Sequence, residues 1–381
     1  MNNNNIKSFL NWRNKKMKLS RLSALLLTIA LITGISANNL YSQAGGAAVP
    51  FLLISPDARS SGMGEVGTAI ADDINAVFWN PAGLGFHNWV GNVDDPEERS
   101  PYRQIALSFS RWLPQFNADL FYSYGTIGQF IESLDGTVAL NFVFMNLGEF
   151  TRTYENGNVA GKFLSNEFAV GLSYGTIVAK DLGIGFQLRY IQSNLAPATI
   201  TTQGDAGTGR SGSFDLGVLW KPTDLGFFED KLSLGANLQN VGPKMTYRNE
   251  SDPLPTTLRL GAAYTIVKDD FNDLKFAIDI AKLLVKRDSL GSDPVPKSLI
   301  TGWQNPGAEL SIGAEYWYES IVALRLGYFT EPSRLGNRKY WNFGAGVRYD
   351  IFRLDFSFIN TIEENHPLAN TMRFSLLIDW K

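Results

Sequence analysis

The stretch Ile351–Asn360, IFRLDFSFIN, sets Phe352, Leu354, Phe356 and Phe358 at every second position, with Arg353, Asp355 and Ser357 between them. Successive side chains of a β-strand point to opposite faces. This segment therefore builds a strand with one strongly apolar face and one charged face. Two more segments repeat the pattern. Phe214, Leu216, Val218 and Trp220 alternate with Ser213, Asp215 and Gly217, with Leu219 as the exception. Leu310, Ile312, Ala314 and Tyr316 alternate with Ser311, Gly313 and Glu315. Alternation also occurs in soluble sandwiches and propellers, so other features must decide where the apolar face points.

The whole chain reads the same way from about Tyr102. Strands are expected near 103–111, 118–125, 136–145, 166–177, 182–194, 211–220, 231–240, 256–266, 274–282, 308–317, 321–329, 341–349, 351–360 and 371–380. That is about fourteen, and bacterial single-chain membrane barrels have an even strand number. Three features favour such an all-β, transmembrane antiparallel barrel. Aromatic residues cluster toward strand ends (Trp112, Tyr174, Tyr190, Trp220, Tyr264, Trp317, Tyr328, Trp341, Tyr349, Trp380), as interfacial girdles require. The last strand, with Phe374, Leu376, Ile378 and Trp380 on one face, ends the protein but for Lys381. Finally, the long connections 146–165, 195–210, 241–255, 283–307, 330–340 and 361–370 all follow odd-numbered strands. The short ones, 178–181, 318–320 and the 349–350 corner, follow even-numbered strands. With a periplasmic N-terminus this is the asymmetry of long outer loops and short periplasmic turns; 112–117 is the exception.

Composition agrees. The chain has 381 residues, 36 glycines, 13% aromatic residues and 19% charged residues, the last below the ~25% of ordinary soluble domains. Mean hydropathy near zero excludes a bundle of membrane helices and suits strands with one face of each kind. A net charge of −3 gives no basic footprint for nucleic acid. With no cysteine, disulfides, thiolate chemistry and Cys-based metal sites are excluded. Lys15, Lys16, Lys18 and Arg21 precede an apolar run from Leu22 to Ile35, and Ser42-Gln43-Ala44 fits a small-x-small cleavage site. Residues 1–44 thus read as a secretory signal peptide, with Met17 an alternative start. The apolar run is shorter than a spanning helix needs.

Residues 45–101 lack sustained alternation. Gly62, Gly64, Gly67, Ala69 and Ala71 allow close backbone approach. Asp72 or Asp73 is expected to cap a short helix running to Phe78, stopped by Asn80-Pro81. The flanking Phe78, Trp79, Leu84 and Phe86 need a partner surface, so the segment is read as a hatch inside the barrel 102–381, against the alternative of a periplasmic tail. The charges expected on the lumen face are Arg189, Asp215, Arg259, Asp279, Glu315, Arg325, Arg348, Arg353, Asp355, Arg373 and Asp379. Their mixed signs suit paired networks holding a plug; a polar permeation path is the competing reading.

Catalytic signals are weak. Gly171-Leu172-Ser173-Tyr174-Gly175 fits the nucleophile-elbow pattern, yet it lies inside an alternating strand with no helix after it. The two histidines, His87 and His366, have no metal-ligand spacing. Gly207–Gly212 lacks the Gly-Lys-Ser/Thr of a phosphate loop, and Gly344-Ala345-Gly346 lies in a strand. No catalytic, cofactor or metal residue is expected, and an outer-membrane hydrolase is poorly supported.

The stretch Val49–Phe86, VPFLLISPDARSSGMGEVGTAIADDINAVFWNPAGLGF, resembles the N-terminal signature of the PorV/PorQ family, a branch of the FadL-like barrels. Ala71-Asp72-Asp73 and Asn80-Pro81-Ala82 match the general FadL-like hatch. Val49-Pro50-Phe51-Leu52, Ile54 and Asp57-Ala58-Arg59 with Gly62-Met63-Gly64 match the PorV branch more closely, while Gly83–Phe86 departs from it. The hatch motif is thus Pro56, Asp57, Arg59, Gly62, Gly64, Asp72, Asp73, Asn80 and Pro81. The resemblance implies an outer-membrane component of the type IX secretion system of the Bacteroidetes. It further implies a SprA-like translocon, a PorU-like sortase or attachment complex, and cargo carrying a C-terminal secretion domain as partners, besides the lipid bilayer. Outer loop 283–307, with Trp303 and Pro306, is the expected protein contact. The alternative is a FadL-like transporter of hydrophobic small molecules through a lateral opening.

Overall fold

The computed structural model describes residues 46–90, 100–116, 119–154, 156–196, 207–247, 250–288, 291–304, 307–333 and 335–380; the signal-peptide reading of 1–44 lies outside them. Fourteen strands form one closed barrel of antiparallel neighbours. They are β1 Arg103–Arg111, β2 Phe121–Ile131, β3 Gly136–Thr153, β4 Val159–Ala179, β5 Leu182–Ala196, β6 Gly207–Trp220, β7 Leu232–Val241, β8 Thr257–Lys268, β9 Asn272–Leu283, β10 Glu309–Tyr318, β11 Val322–Thr330, β12 Lys339–Tyr349, β13 Phe352–Thr361 and β14 Met372–Asp379. Each pairs with its sequence neighbours, and β14 closes on β1 in the register Arg373↔Ser110 through Asp379↔Gln104. Closure leaves the barrel ring itself without a free edge, which a strand structure needs in lipid.

The alternation is inside out relative to a soluble protein. In β13 Phe352 and Leu354 are 45% and 60% exposed, whereas Arg353 and Asp355 are each 4%. Leu107, Phe109, Leu140, Phe142, Leu188, Leu324 and Phe374 continue the outward apolar surface around the barrel. Inward positions carry Ser108, Thr126, Asn141, Gln187 and Asn237, all buried. An apolar belt this large far exceeds the few hundred Å² that a monomer shows to water; its solvent is the bilayer core. No described helix is long and apolar enough to cross a membrane; the outward apolar surface is carried by the strands.

Two expectations shift, and one connection stands outside the length rule. β2 starts at Phe121 rather than near 118, so 112–120 joins the long connections and stops being an exception. The expected loop 146–165 is mostly strand: beyond Asn146 and Asn166, where β2 and β5 stop pairing, β3 and β4 continue as a two-stranded ribbon, with Phe150 and Phe163 stacked at 5.8 Å. Segment 221–231 follows an even-numbered strand yet is long, with a 3-10 turn at Gly226–Phe228. The girdle also loses a member, because Trp317 points inward and is buried, with the Arg325 and Arg348 guanidinium groups at 5.5 and 4.9 Å from its ring.

Candidate functional site

The described chain from Gly46 to His87 touches every stave of the closed barrel, which only a segment inside the lumen can do. Its path starts at the end of the long connections. Ala48 N–H donates to Pro253 O at 2.8 Å, and Val49, Phe51 and Leu52 pack on Tyr122, Tyr124, Val143, Met145, Ile191 and Met245. Helix α1, Ala58–Gly62, then lies on β11–β14, and Ala58 N–H donates to Ser375 Oγ of β14 at 2.8 Å. Further on, Gly67 and Thr68 N–H groups both donate to Asp279 of β9 at 2.9 Å. Ser233 of β7 donates to Ala69 O, and Ile74 N–H donates to Gln104 of β1. The segment leaves on the short-turn side, where Thr137 of β3 donates to His87 O and His87 stacks on Tyr102 at 4.5 Å.

Local sequence chemistry shapes the hatch. Asp57 caps α1 by accepting Ser60 N–H at 2.7 Å, and its second oxygen accepts Trp79 Nε1–H at 2.8 Å. Helix α2 is Ala76–Trp79, starting later than an Asp72 or Asp73 cap implies and ending one residue beyond Phe78. Its N-cap is Asn75 rather than an aspartate, and Asp73 instead accepts Asn75 N–H at 2.9 Å. Asn80-Pro81 does stop α2, yet the chain continues straight into a 3-10 helix, Pro81–Phe86. Asn80 holds this joint, donating to Thr68 O and Val218 O at 2.9 Å each and accepting Ala82 N–H at 3.2 Å. The apolar flank finds its partner surface: Val77, Ala82 and Leu84 pack on Ala106, Ala139, Leu219 and Leu377 of the wall. Leu219, the exception to alternation in β6, is an inward apolar seat for the hatch.

At the centre, six side chains close a ring of alternating charge. Arg59 of α1 contacts Asp73 at 3.0 Å, and Asp73 contacts Arg353 at 2.5 Å. Arg353 contacts Asp355 at 2.9 Å, Asp355 contacts Arg325 at 2.8 Å, and Arg325 contacts Glu315 at 2.7 Å. Glu315 returns to Arg59 at 2.7 Å, with a second bond to Arg59 Nε at 2.9 Å. The Arg325 Nη1–Asp355 contact is close enough for an ion pair but is not aligned as a hydrogen bond. Asp72 hangs outside the ring, bound to Arg59 and, at 3.1 Å, to Lys275. Two members come from the hatch and four from β10, β11 and β13, so the ring is the joint between plug and wall. Burial by itself would raise the Asp72 and Asp73 carboxyls. Arg59 and Lys275 instead hold Asp72 well below the ordinary carboxylate value, and Arg353 and Arg59 hold Asp73 below it.

The other expected lumen charges separate. Arg189 pairs with Asp215 at 2.8 Å, and Asp215 also accepts Asn240 N–H at 2.7 Å. Arg259 donates to Gln239 at 2.9 Å and stands 5.4 Å over the Trp79 ring. Asp379 accepts Gln104. Arg348 shares the inward parity but sits exposed at the rim, where its contact among the described residues is the Trp317 ring. Arg373 is buried with no hydrogen-bond partner among the described residues. Trp303 is exposed after the short helix α3, Lys297–Thr301; Pro306 lies outside the described residues. Ser173 lies mid-strand in β4, faces the lumen and accepts Gln187 at 3.0 Å. No metal-ligand cluster occurs among the described residues.

The wall's glycines were missed in the sequence. A Cβ on the wall's Gly175 would lie 2.5 Å from Pro81 O; from the hatch side, the expected Gly64, whose φ is +75°, meets Tyr328 N at 2.6 Å in the same way. Gly185, Gly217, Gly235, Gly261, Gly313 and Gly327 likewise seat hatch backbone or Asn80 where a Cβ has no room. The available signal was glycine at the inward parity on successive strands.

Comparison with known proteins places this geometry. A family model described as type IX secretion system protein PorV matches residues 38–289. No curated protein matches the chain. Among solved structures, a FadL homologue of Pseudomonas aeruginosa aligns with TM-score 0.50 at 13% identity, covering 88% of this chain and 99% of that one. A deletion mutant of TodX, described as a monoaromatic hydrocarbon channel, aligns with TM-score 0.51 at 13% identity, covering 85% and 97%. At such identity the likeness concerns the fold.

Proposed function

Because the chain belongs to the PorV family of type IX secretion system proteins, we propose that it sits in the outer membrane, binds secreted cargo through its C-terminal secretion domain and carries it from a SprA-like translocon to a PorU-like attachment complex. The observation that carries this reading is the filled lumen. The hatch engages all fourteen staves and is locked by the ring of Arg59, Asp73, Arg353, Asp355, Arg325 and Glu315. A barrel so plugged offers its rims and outer surface rather than its bore, and a docking platform needs only these. No chemistry of its own is assigned to it. The outer-side segments, with Trp303 exposed in 284–308, are the surfaces offered to protein partners.

The test is gene deletion followed by comparison of surface and periplasmic protein. Cargo with the C-terminal secretion domain is expected to accumulate in the periplasm. Cargo that still reaches the surface sinks the proposal.

A second reading, uptake of hydrophobic small molecules, draws on the FadL-like fold and on the apolar outer chamber of Tyr122, Tyr124, Val143, Met145, Ile191 and Met245. The chain's own Phe51 and Leu52 fill that chamber, so this reading requires residues 46–54 to leave it. A fall in uptake of hydrophobic substrate on deletion, with cargo export intact, would favour it.

A further inference from the structure

One group of buried polar side chains belongs neither to the ring nor to the hatch joints. Arg373 of β14 is 1% exposed, and its Nε, Nη1 and Nη2 all lack a hydrogen-bond partner among the described residues. Ser357 of β13 lies directly opposite it in the sheet and is also unpartnered at Oγ. One diagonal step further, Asn342 of β12 is fully buried with neither amide atom bonded. Opposite and diagonal partners on one sheet face lie within about 5 to 8 Å of each other, so the three line one patch of inner wall. Helix α1 packs on the same strands, and its Ser61 Oγ is buried and unpartnered too. Asp57 is no contact partner: its two oxygens accept Ser60 N–H and Trp79 Nε1–H.

A buried guanidinium cannot shed its charge, and leaving one unpaired costs several kcal/mol. Its planar fork of donors matches a carboxylate in a bidentate fashion, and the amide of Asn342 and the hydroxyl of Ser357 add further donors. Arg373 carries one uncompensated positive charge, which a monoanion neutralises and a phosphate dianion would overshoot.

We propose that Arg373, Asn342 and Ser357 form an internal anion site that takes a small monovalent carboxylate between α1 and the β12–β14 wall. The site is separate from the ion ring and from any surface offered to cargo, so it stands or falls independently of the shuttle reading.

The test uses the full-length barrel in a neutral detergent, titrated with sodium acetate at constant ionic strength with fluoride as the balancing ion. Two quantities are read: the thermal midpoint by circular dichroism, and the linewidth of carbon-13 acetate by NMR. Wild type is expected to show a saturable rise in midpoint and broadening of the acetate signal. Arg373→Met should lose both, and Asn342→Leu should weaken apparent acetate affinity about tenfold. Lys162→Met, which breaks only an exposed outer ion pair with Glu149, should behave as wild type. Absence of saturable broadening in wild type overturns the proposal, as does equal acetate dependence in Arg373→Met. Should Arg373→Met fail to fold, the wild-type broadening and its shift to about tenfold higher acetate in Asn342→Leu decide the matter.

Discussion

Replacing Arg59 by methionine keeps an unbranched stem and removes one vertex of the ion ring. Glu315 retains Arg325, Asp73 retains Arg353 and Asp72 retains Lys275. The ring's three positive and three negative charges become two and three, all in a buried site. Removing one partner of a buried ion pair costs about 3–5 kcal/mol, because it strands a desolvated charge. At about 1.4 kcal/mol per tenfold, the population with α1 undocked rises by about two to three and a half orders of magnitude. The remaining hatch joints, at Asp279 and Asn80, stay intact, so opening should be partial and transient. Planar-bilayer recording reads this directly: wild type is expected to be nearly silent, and Arg59→Met to show brief current bursts. Adding Glu315→Gln removes the surplus negative charge, and the two substitutions should be less than additive by about 0.5–3 kcal/mol in denaturant unfolding. An Arg59→Met barrel as silent as wild type, with a midpoint shift worth under ~0.5 kcal/mol, would refute the view that the ring locks the hatch.

Other expectations concern the same joint. Asp72 and Asp73 have folded-state pKa values depressed below the ordinary 3.8, so their contribution is present above that value and lost as pH falls through the lower folded values; conductance should be flat from pH 8 to about 5 and rise only in stronger acid. Gly327→Val drives a side chain into the Gly64 backbone and should lower the unfolding free energy by about 1–3 kcal/mol or more, read in denaturant unfolding, whereas Gly125→Ala, which meets only the Leu107 side chain, should be near neutral. Asn80→Ala orphans Thr68 O and the Ala82 N–H and should cost about 1–3 kcal/mol, read as faster proteolysis of the hatch; unchanged cleavage would contradict its role as the joint.

Strand number and facing were legible because lipid and lumen impose opposite chemistry on alternate residues, a signal that Ile351–Asn360 carries undiluted. The hatch was legible through its apolar residues, which had no solvent role. Its locking partners were legible only as a set of inward charges. Periodicity gives the face of a residue but not its height around a tilted barrel, so Arg353 in the ring, Arg348 at the rim and Arg373 alone looked alike. Leu219 and Trp317 appeared as breaks in alternation or as girdle residues, since a strand cannot reveal that a plug supplies an apolar surface inside a polar lumen. The ribbon beyond Asn146 has the sequence pattern of a loop, because its exposed strands have no neighbour enforcing a clean two-residue period.

The order of events in making this barrel follows from where the ring's members lie in the chain. Arg59 meets Glu315 across 256 residues, and Ala58 meets Ser375 across 317. The plug is therefore synthesised first and secured last: its partners on β10, β11, β13 and β14 follow it along most of the chain. The ion ring and the β14–β1 seam both wait on the last strands, so the hatch lacks its lock until the C-terminal strands are in register.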